Sequence, residues 1–192
     1  MARISIEQKH IFVFLLVVIA VVATILIYKF HESKPLTTYT YYVYDNYGNR
    51  YGIPMAFRAD LRKASNVSIY PDISSIYNII WNENTKNIII VFANSSDNGL
   101  VATDAFEIAY KLGVIFKVYN MTTNFTPNVI SSYDNIIANE SYPVIALIPP
   151  SLTNDTSVLA INNVIYIQGN TTEGFDLATI KFLMSVLSIK VG

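Results

Sequence analysis

The sequence contains no cysteine, and this absence excludes several classes of protein. Without thiols, the chain forms no disulfide scaffold, no cysteine-ligated zinc site and no iron–sulfur cluster. Histidine is almost as scarce, because the 2 residues present, His10 and His31, flank an apolar run from Ile11 to Tyr28. If that run crosses a membrane, the two imidazoles lie on opposite sides of it and neither reaches a domain core. This argues against Ser-His-Asp triads, His-ligated haem or copper and most zinc hydrolases.

The numbers of glycine and of charged residues are also low. There are 7 Gly, and charged residues make up 14% of the chain, whereas a typical soluble domain has about 25%. No Gly-x-Gly-x-x-Gly, Walker, His-Glu-x-x-His or Gly-x-Ser-x-Gly motif occurs. A net charge of -1 argues against nucleic-acid binding, which needs a basic face. We therefore predict no catalytic, cofactor-binding or metal-binding residue, and no nucleic-acid partner.

The run from Ile11 to Tyr28 contains 18 residues without a charge. As a helix it is roughly 27 Å long, close to the thickness of a hydrocarbon core. It is longer than the apolar region of a cleaved signal peptide, and the segment Ala20–Ala23 lacks the small-x-small exit pattern. We predict an uncleaved transmembrane helix over residues 11–28, preceded by a cytoplasmic tail (1–10) and followed by a polar linker (29–36). A cleaved signal peptide and a buried soluble helix are the alternatives.

Seven Asn-x-Ser/Thr triplets follow this run, where the 18 Asn and the 29 Ser and Thr of the 192 residues predict about 2.7 by chance. Their asparagines are Asn66, Asn94, Asn120, Asn124, Asn139, Asn154 and Asn170. The excess indicates N-glycosylation, which requires exposure outside the cytoplasm. Asn-, Ser- and Thr-rich loops that produce triplets by composition are the alternative. Glycosylation would place the N-terminus in the cytoplasm and residues 37–192 outside.

In composition and layout, the chain resembles the membrane-anchored, N-glycosylated cell-surface proteins of archaea. The resemblance rests on many sequons, the absence of cysteine and an abundance of Asn, Ile and Tyr. It matches no motif of a particular family. It implies a single-pass protein of the cell membrane whose main domain is extracellular.

The outer domain begins with a predicted β-hairpin. Thr37–Asp45 and Arg50–Phe57 are β-branched and aromatic, with a turn at residues 46–49 between them. Pro54 indicates a sheet edge or a bulge.

From Pro71 onwards the pattern alternates between helices and strands. The predicted strands are Asn87–Ala93, Val114–Tyr119, Tyr142–Ile148 and the hairpin Ser157–Ile161 with Val164–Gln168. The predicted helices are Arg58–Ser65, one capped by Asp72 through Trp81, one capped by Asp97 or Asn98 and ended by Gly113, Ser131–Asn139 and Phe175–Ile189. Together they predict one three-layer α/β domain with a mainly parallel sheet and an N-terminal β-hairpin.

A few charged groups could carry chemistry. Asp104 and Glu107, three residues apart on one helix, could act as acid and base or hold a hard cation; we favour a solvated helix face. Arg58, Asp60, Arg62 and Lys63 form a mixed cluster that we interpret as a solvated face or local ion pairs, with a partner-docking patch as the alternative. The last helix carries a narrow polar stripe of Lys181, Ser185 and Ser188, and we predict a core helix there.

Three sequons follow predicted strands directly, at Asn94, Asn120 and Asn170. We expect them to share the carboxyl edge of the sheet, where ligands of open α/β sheets bind. Glycans there would crowd an active site. A deep cleft lined by Asp97 and Ser151 at that edge would instead favour an enzyme. The N-terminal hairpin, which has no sequon, is then the preferred partner surface, with the membrane-proximal side as the alternative.

These expectations favour a non-catalytic, membrane-anchored glycoprotein that acts as an envelope component or as an accessory subunit of a membrane or surface complex. Its expected partners are membrane lipid through the N-terminal helix, other proteins of that complex and N-linked glycans. The alternatives are an extracytoplasmic hydrolase that uses carboxylates and a solute- or glycan-binding receptor domain.

Overall fold

The computed structural model describes residues 37–44, 48–82, 86–133, 136 and 142–191. The predicted membrane helix over Ile11–Tyr28, the tail, the linker and Asn139 lie outside these residues, as does more than half of the predicted helix over Ser131–Asn139. Within the described ranges, no helix is both long enough and apolar enough to cross a membrane.

The described chain alternates between strands and helices. The strands are β1 (Thr37–Tyr44), β2 (Arg50–Phe57), β3 (Ser68–Tyr70), β4 (Asn87–Ala93), β5 (Asn124–Ile130), β6 (Val144–Ile148), β7 (Ser157–Ile161) and β8 (Val164–Gln168). The helices are α1 (Leu61–Ser65), α2 (Ile73–Ile80), α3 (Asn98–Val118) and α4 (Thr172–Val186), with a 3₁₀ turn at Pro150–Leu152.

The strands form two sheets. β1 and β2 pair antiparallel as a two-stranded sheet, and the other six strands lie in the order β3-β7-β8-β6-β4-β5. β5, β4, β6 and β8 run parallel to one another, whereas β7 runs antiparallel to β8. The predicted mixed α/β fold, with a mainly parallel sheet and an N-terminal hairpin, is confirmed.

The six-stranded sheet buries its two faces differently, because successive side chains of a strand point to opposite sides. Ile88 and Ile90 of β4 join the main core, to which the four described helices and the β1–β2 hairpin also contribute. Val91 packs on the other face in a smaller cluster, against the partly buried Tyr133 and Ile136. The described helices therefore cover one face, and a third layer stays a prediction.

The strand predicted over Val114–Tyr119 is wrong, because α3 runs through Gly113 and ends at Val118. The buried residues Leu112, Ile115 and Phe116 continue the helical spacing into the core. Gly113 is tolerated inside the helix at a cost of about 1 kcal/mol relative to alanine. A short apolar run cannot be assigned to a strand or to a buried helix segment from its periodicity alone.

The strand that follows α3 is β5, which the sequence did not suggest. It contains Pro127, which pairs with Ile90 of β4, and most of its residues are exposed. A proline is acceptable there because β5 is the last strand of the sheet and has one free edge.

The predicted helix cap at Asp72 and the predicted β7–β8 hairpin are confirmed, and Asp60 supplies a further cap that the sequence analysis did not assign. Asp60 caps α1 by accepting a hydrogen bond from Arg62 N at 2.7 Å, and Asp72 caps α2 in the same way. In the β7–β8 turn, Asn162 has a φ of 55°, a left-handed conformation that asparagine tolerates. The last helix begins at Thr172, earlier than predicted, because the Thr171 hydroxyl accepts a bond from Gly174 N at 2.9 Å.

Candidate functional site

The sequon asparagines are the first candidate site. All six that lie in the described residues are exposed: Asn66, Asn94, Asn120, Asn124, Asn154 and Asn170. The seventh, Asn139, lies outside those residues. Exposure of the carboxamide is a requirement for an oligosaccharide to be attached and accommodated.

Four of these asparagines lie at one edge of the six-stranded sheet. Asn94 follows β4 and Asn170 follows β8, and both strands point the same way. Asn66 and Asn154 precede β3 and β7, which run in the opposite direction and therefore begin at that edge. The carboxyl edge of the parallel strands is thus the sequon-rich edge of the described domain.

The expectation that Asn120 shares this edge is wrong. Because Val114–Tyr119 is helical rather than a strand, Asn120 lies just beyond the end of α3. Asn124 begins β5 and donates its backbone N–H to Lys86 O, next to the start of β4. These two asparagines therefore lie toward the amino edge of the sheet.

The second candidate site is the point, between β4 and β6, where the order of the strands along the sheet reverses. After β4 the chain passes to β5 on one side, and after β6 it passes to β7 and β8 on the other. In open α/β sheets the crevice at such a point is where ligands bind. Asp97 and Ser151 occupy it: the first follows β4 and the second follows β6.

These two residues bind each other. Asp97 Oδ2 accepts a hydrogen bond from Ser151 N at 2.9 Å. Bonds from Ser151, first from its hydroxyl and then from its backbone N–H, hold the pKa of the Asp97 carboxyl below its usual range. Asp97 is the N-cap residue of α3, as one of the two predicted alternatives had it, but its side chain makes no cap bond to the helix. Its carboxylate ties two loops together instead.

Tyr133 bridges the same crevice from the face of the smaller core. β4 and β6 pair from Ile89 to Val91. Beyond this paired segment, toward the carboxyl ends of the two strands, the Tyr133 hydroxyl accepts a hydrogen bond from Ala93 N at 3.1 Å and donates one to Leu147 O. Burial raises the pKa of Tyr133, against a smaller opposing effect of the bond from Ala93. The phenol thus occupies the gap between the carboxyl ends of the two strands.

The third candidate is an ionic cluster in the protein interior. Arg58, which follows β2 directly, donates from Nε to Glu107 Oε2 at 2.8 Å and from a terminal nitrogen to Asp176 Oδ1 at 3.0 Å. The same guanidinium also binds Asp104. Asp104 is 0% exposed and Glu107 is 6% exposed. The prediction that Asp104 and Glu107 lie on a solvated helix face is therefore wrong. Their spacing does place both carboxylates on one face of α3, but that face points into the protein, where it meets Arg58.

Further bonds complete the cluster. Lys111 Nζ donates to Glu107 Oε1 at 2.6 Å, and its ammonium lies 4.7 Å from the centre of the Phe57 ring. Thr179 Oγ1 donates to Asp104 Oδ2 at 3.2 Å. Among the described residues, no group of three or more His, Cys, Asp or Glu is placed to hold a metal ion. The cluster joins the hairpin, α3 and α4.

The other members of the predicted mixed cluster separate from Arg58. Asp60 caps α1 and accepts from Arg62 N and Lys63 N. Lys63 Nζ binds Glu173 Oε1 at 3.0 Å on the surface, and this bond raises the pKa of Lys63. Asp60 and Lys63 are solvated, as predicted, but the ion pair of Lys63 is not local, because Glu173 lies 110 positions away.

The predicted polar stripe of α4 is mostly internal. Lys181 and Ser185 are buried, whereas Ser188 is exposed. Lys181 Nζ donates to Ser65 O at 2.6 Å at the end of α1, and burial lowers the pKa of Lys181. The helix therefore lies in the core, as predicted.

No protein-family model, curated protein or solved structure matches this chain significantly.

Proposed function

We propose that the chain is a single-pass membrane glycoprotein whose outer domain is non-catalytic and serves as an envelope component or accessory subunit. The observation that carries the proposal is the exposure of all six described sequon asparagines, four of them at one edge of the sheet. The anchor would be Ile11–Tyr28, with the short N-terminus in the cytoplasm and the α/β domain, three-layered as predicted, at the cell surface. N-linked glycans would shield the sequon-rich edge.

The charged groups best suited to chemistry also support a non-catalytic domain. Asp104 and Glu107 bind Arg58, and Glu107 also binds Lys111. A general acid or base must lie within hydrogen-bond reach of a substrate, whereas these two carboxylates are buried and point at cations of the protein itself. An internal ionic cluster instead fixes the position of the hairpin on the helices.

Glycan attachment is tested with sequon variants expressed in a host that performs N-glycosylation. Asn94→Gln and Asn170→Gln are each expected to lower the intact mass by that of one glycan. Asn128→Gln is the matched control, because Asn128 is exposed but is followed by Val-Ile and forms no sequon. Masses that differ only by the side-chain substitution, at every sequon tested, would contradict the proposal.

A receptor or hydrolase function is the second candidate, and one observation favours it. The Asp97 carboxylate accepts a hydrogen bond from the Ser151 backbone N–H at the point of the sheet where ligands bind in other open α/β folds. This candidate requires the two loops to part and admit a ligand. Chemical-shift changes confined to these loops on addition of sugars or peptides would favour it over the non-catalytic proposal.

A further inference from the structure

Helix α3 buries both of its carboxylates and exposes two of its aromatic rings. Asp104, Glu107 and Lys111 are buried in the ionic cluster, whereas Phe106 is 70% exposed and Tyr110 is 61% exposed. The two rings stack with their centres 5.9 Å apart and their planes at 14°. The outer face of α3 therefore presents aromatic surface and no exposed carboxylate.

These rings lie beside the N-terminal hairpin. An open groove of about 220 Å³ separates α3 from β2, lined by Pro54, Met55, Ala56, Tyr110, Lys111 and Val114. Ala56 pairs with Thr38, the second residue of β1. The aromatic patch, which we define as Phe106, Tyr110 and the exposed Pro54, is thus close to the point at which the chain enters the described domain.

We propose that the aromatic patch rests in the headgroup region of the membrane, as a second lipid contact beside the N-terminal anchor. This inference rests on the proposed anchor. Tyr28 is the last residue of the apolar run and Thr37 is the first of β1, so even a fully extended linker between them spans about 30 Å. Tyrosine rings favour the membrane interface, and phenylalanine is typical of the apolar face of helices that lie in it. Because α3 exposes no carboxylate, its outer face places no anionic side chain against the lipid phosphates.

A lipid surface fits the patch better than a second copy of the chain. Two aromatic side chains bury about 300 to 500 Å² together, whereas a stable protein interface needs about 800 Å² from each partner. A tethered domain needs much less, because the anchor already holds it at a high effective concentration next to the bilayer. A small contact is then enough to orient the domain on the membrane.

The absence of cysteine makes this contact measurable by single-site labelling. The full chain carrying Phe106→Cys is labelled with a nitrobenzoxadiazole fluorophore and reconstituted into phosphatidylglycerol–phosphatidylcholine vesicles that contain headgroup-nitroxide lipid. Leu152→Cys is the matched control, because Leu152 is 45% exposed and lies after β6, at the carboxyl edge of the sheet. Both positions are exposed, and an unchanged thermal melt confirms that the labelled chains fold.

We expect lipid quenching about twofold stronger at position 106 than at position 152, together with a blue-shifted emission. Equal quenching at the two positions, with the chain retained in floated vesicles, would overturn the lipid contact and leave the anchor intact. Protection from aqueous iodide at position 106 that grows with protein density, without lipid quenching, would identify a second copy and also overturn it. Loss of the chain from the vesicles would overturn the anchor and this inference together.

Discussion

Arg58 Nε donates to Glu107 Oε2 at 2.8 Å across 49 positions of sequence. This bond joins the end of the hairpin to the middle of α3. The same guanidinium binds Asp104 and Asp176, so one partly exposed cation serves three carboxylates that are buried or nearly so. The attachment of the hairpin to the helices therefore depends strongly on a single side chain.

Arg58→Met is expected to destabilise the domain by about 3 to 5 kcal/mol, because it leaves buried carboxylates without their cation. Urea denaturation of the detergent-solubilised chain at neutral pH measures this loss. Lys63→Met is the control: its exposed pair with Glu173 should leave the transition almost unmoved. Equal effects of the two substitutions would show that the Arg58 cluster adds nothing to stability.

Tyr133→Phe is expected to cost about 1 to 3 kcal/mol, because Ala93 N–H and Leu147 C=O lose their shared partner between β4 and β6. Amide exchange at Ala93 should become faster, while exchange at Val91, within the paired part of β4, should not change. Hydrogen exchange followed by mass spectrometry or NMR measures both. Unchanged protection at Ala93 would mean that the phenol does not hold the strand ends.

Asp97→Asn should lower the melting temperature at neutral pH by weakening the bonds from Ser151. The pKa of Asp97 lies below its usual value of 3.8 in the folded state, so the carboxylate contributes stability above that value. This contribution is lost as the pH falls through the lower folded pKa. The difference between wild type and variant should therefore shrink below about pH 4. Thermal melts from pH 7 to pH 2.5 test this, and a difference that is independent of pH would contradict it.

Gly113→Ala is expected to stabilise the chain by about 0.5 to 1 kcal/mol, because alanine favours the helix interior. An added Cβ meets only the Phe125 ring, at 3.8 Å. If the helix ended at this glycine instead, alanine would destabilise a left-handed cap. Gly48→Ala is the control, because Gly48 has a φ of 82° and alanine there should destabilise the chain. Thermal denaturation of both variants measures whether each substitution raises or lowers the stability.

Structural features that depend on residues close together in the chain are predicted well from the sequence. The cap at Asp72 and the β7–β8 hairpin with its turn at Asn162 are predicted correctly, because each depends on bonds or backbone angles within a few residues. The error at Val114–Tyr119 arises because burial in the core, rather than local propensity, continues α3.

The candidate sites are less predictable, because they depend on distant partners. The charges of Asp104 and Glu107 are visible in the sequence, but their partner Arg58 lies more than 40 positions away. Tyr133 gives no local signal of its role between β4 and β6. Phe106 and Tyr110, by contrast, do give a signal in the sequence. They lie four residues apart and outside the apolar stripe of α3, which is formed by residues such as Val101 and Ile108.

Intact-mass spectrometry of the protein extracted from its native membranes tests the central claim most directly. A membrane-anchored, glycosylated ectodomain predicts a chain that retains Ile11–Tyr28 and carries at least two N-linked glycans, with glycopeptides at Asn94 and Asn170. A mature chain that begins after Ala23, or a full-length chain without any glycan, would contradict it.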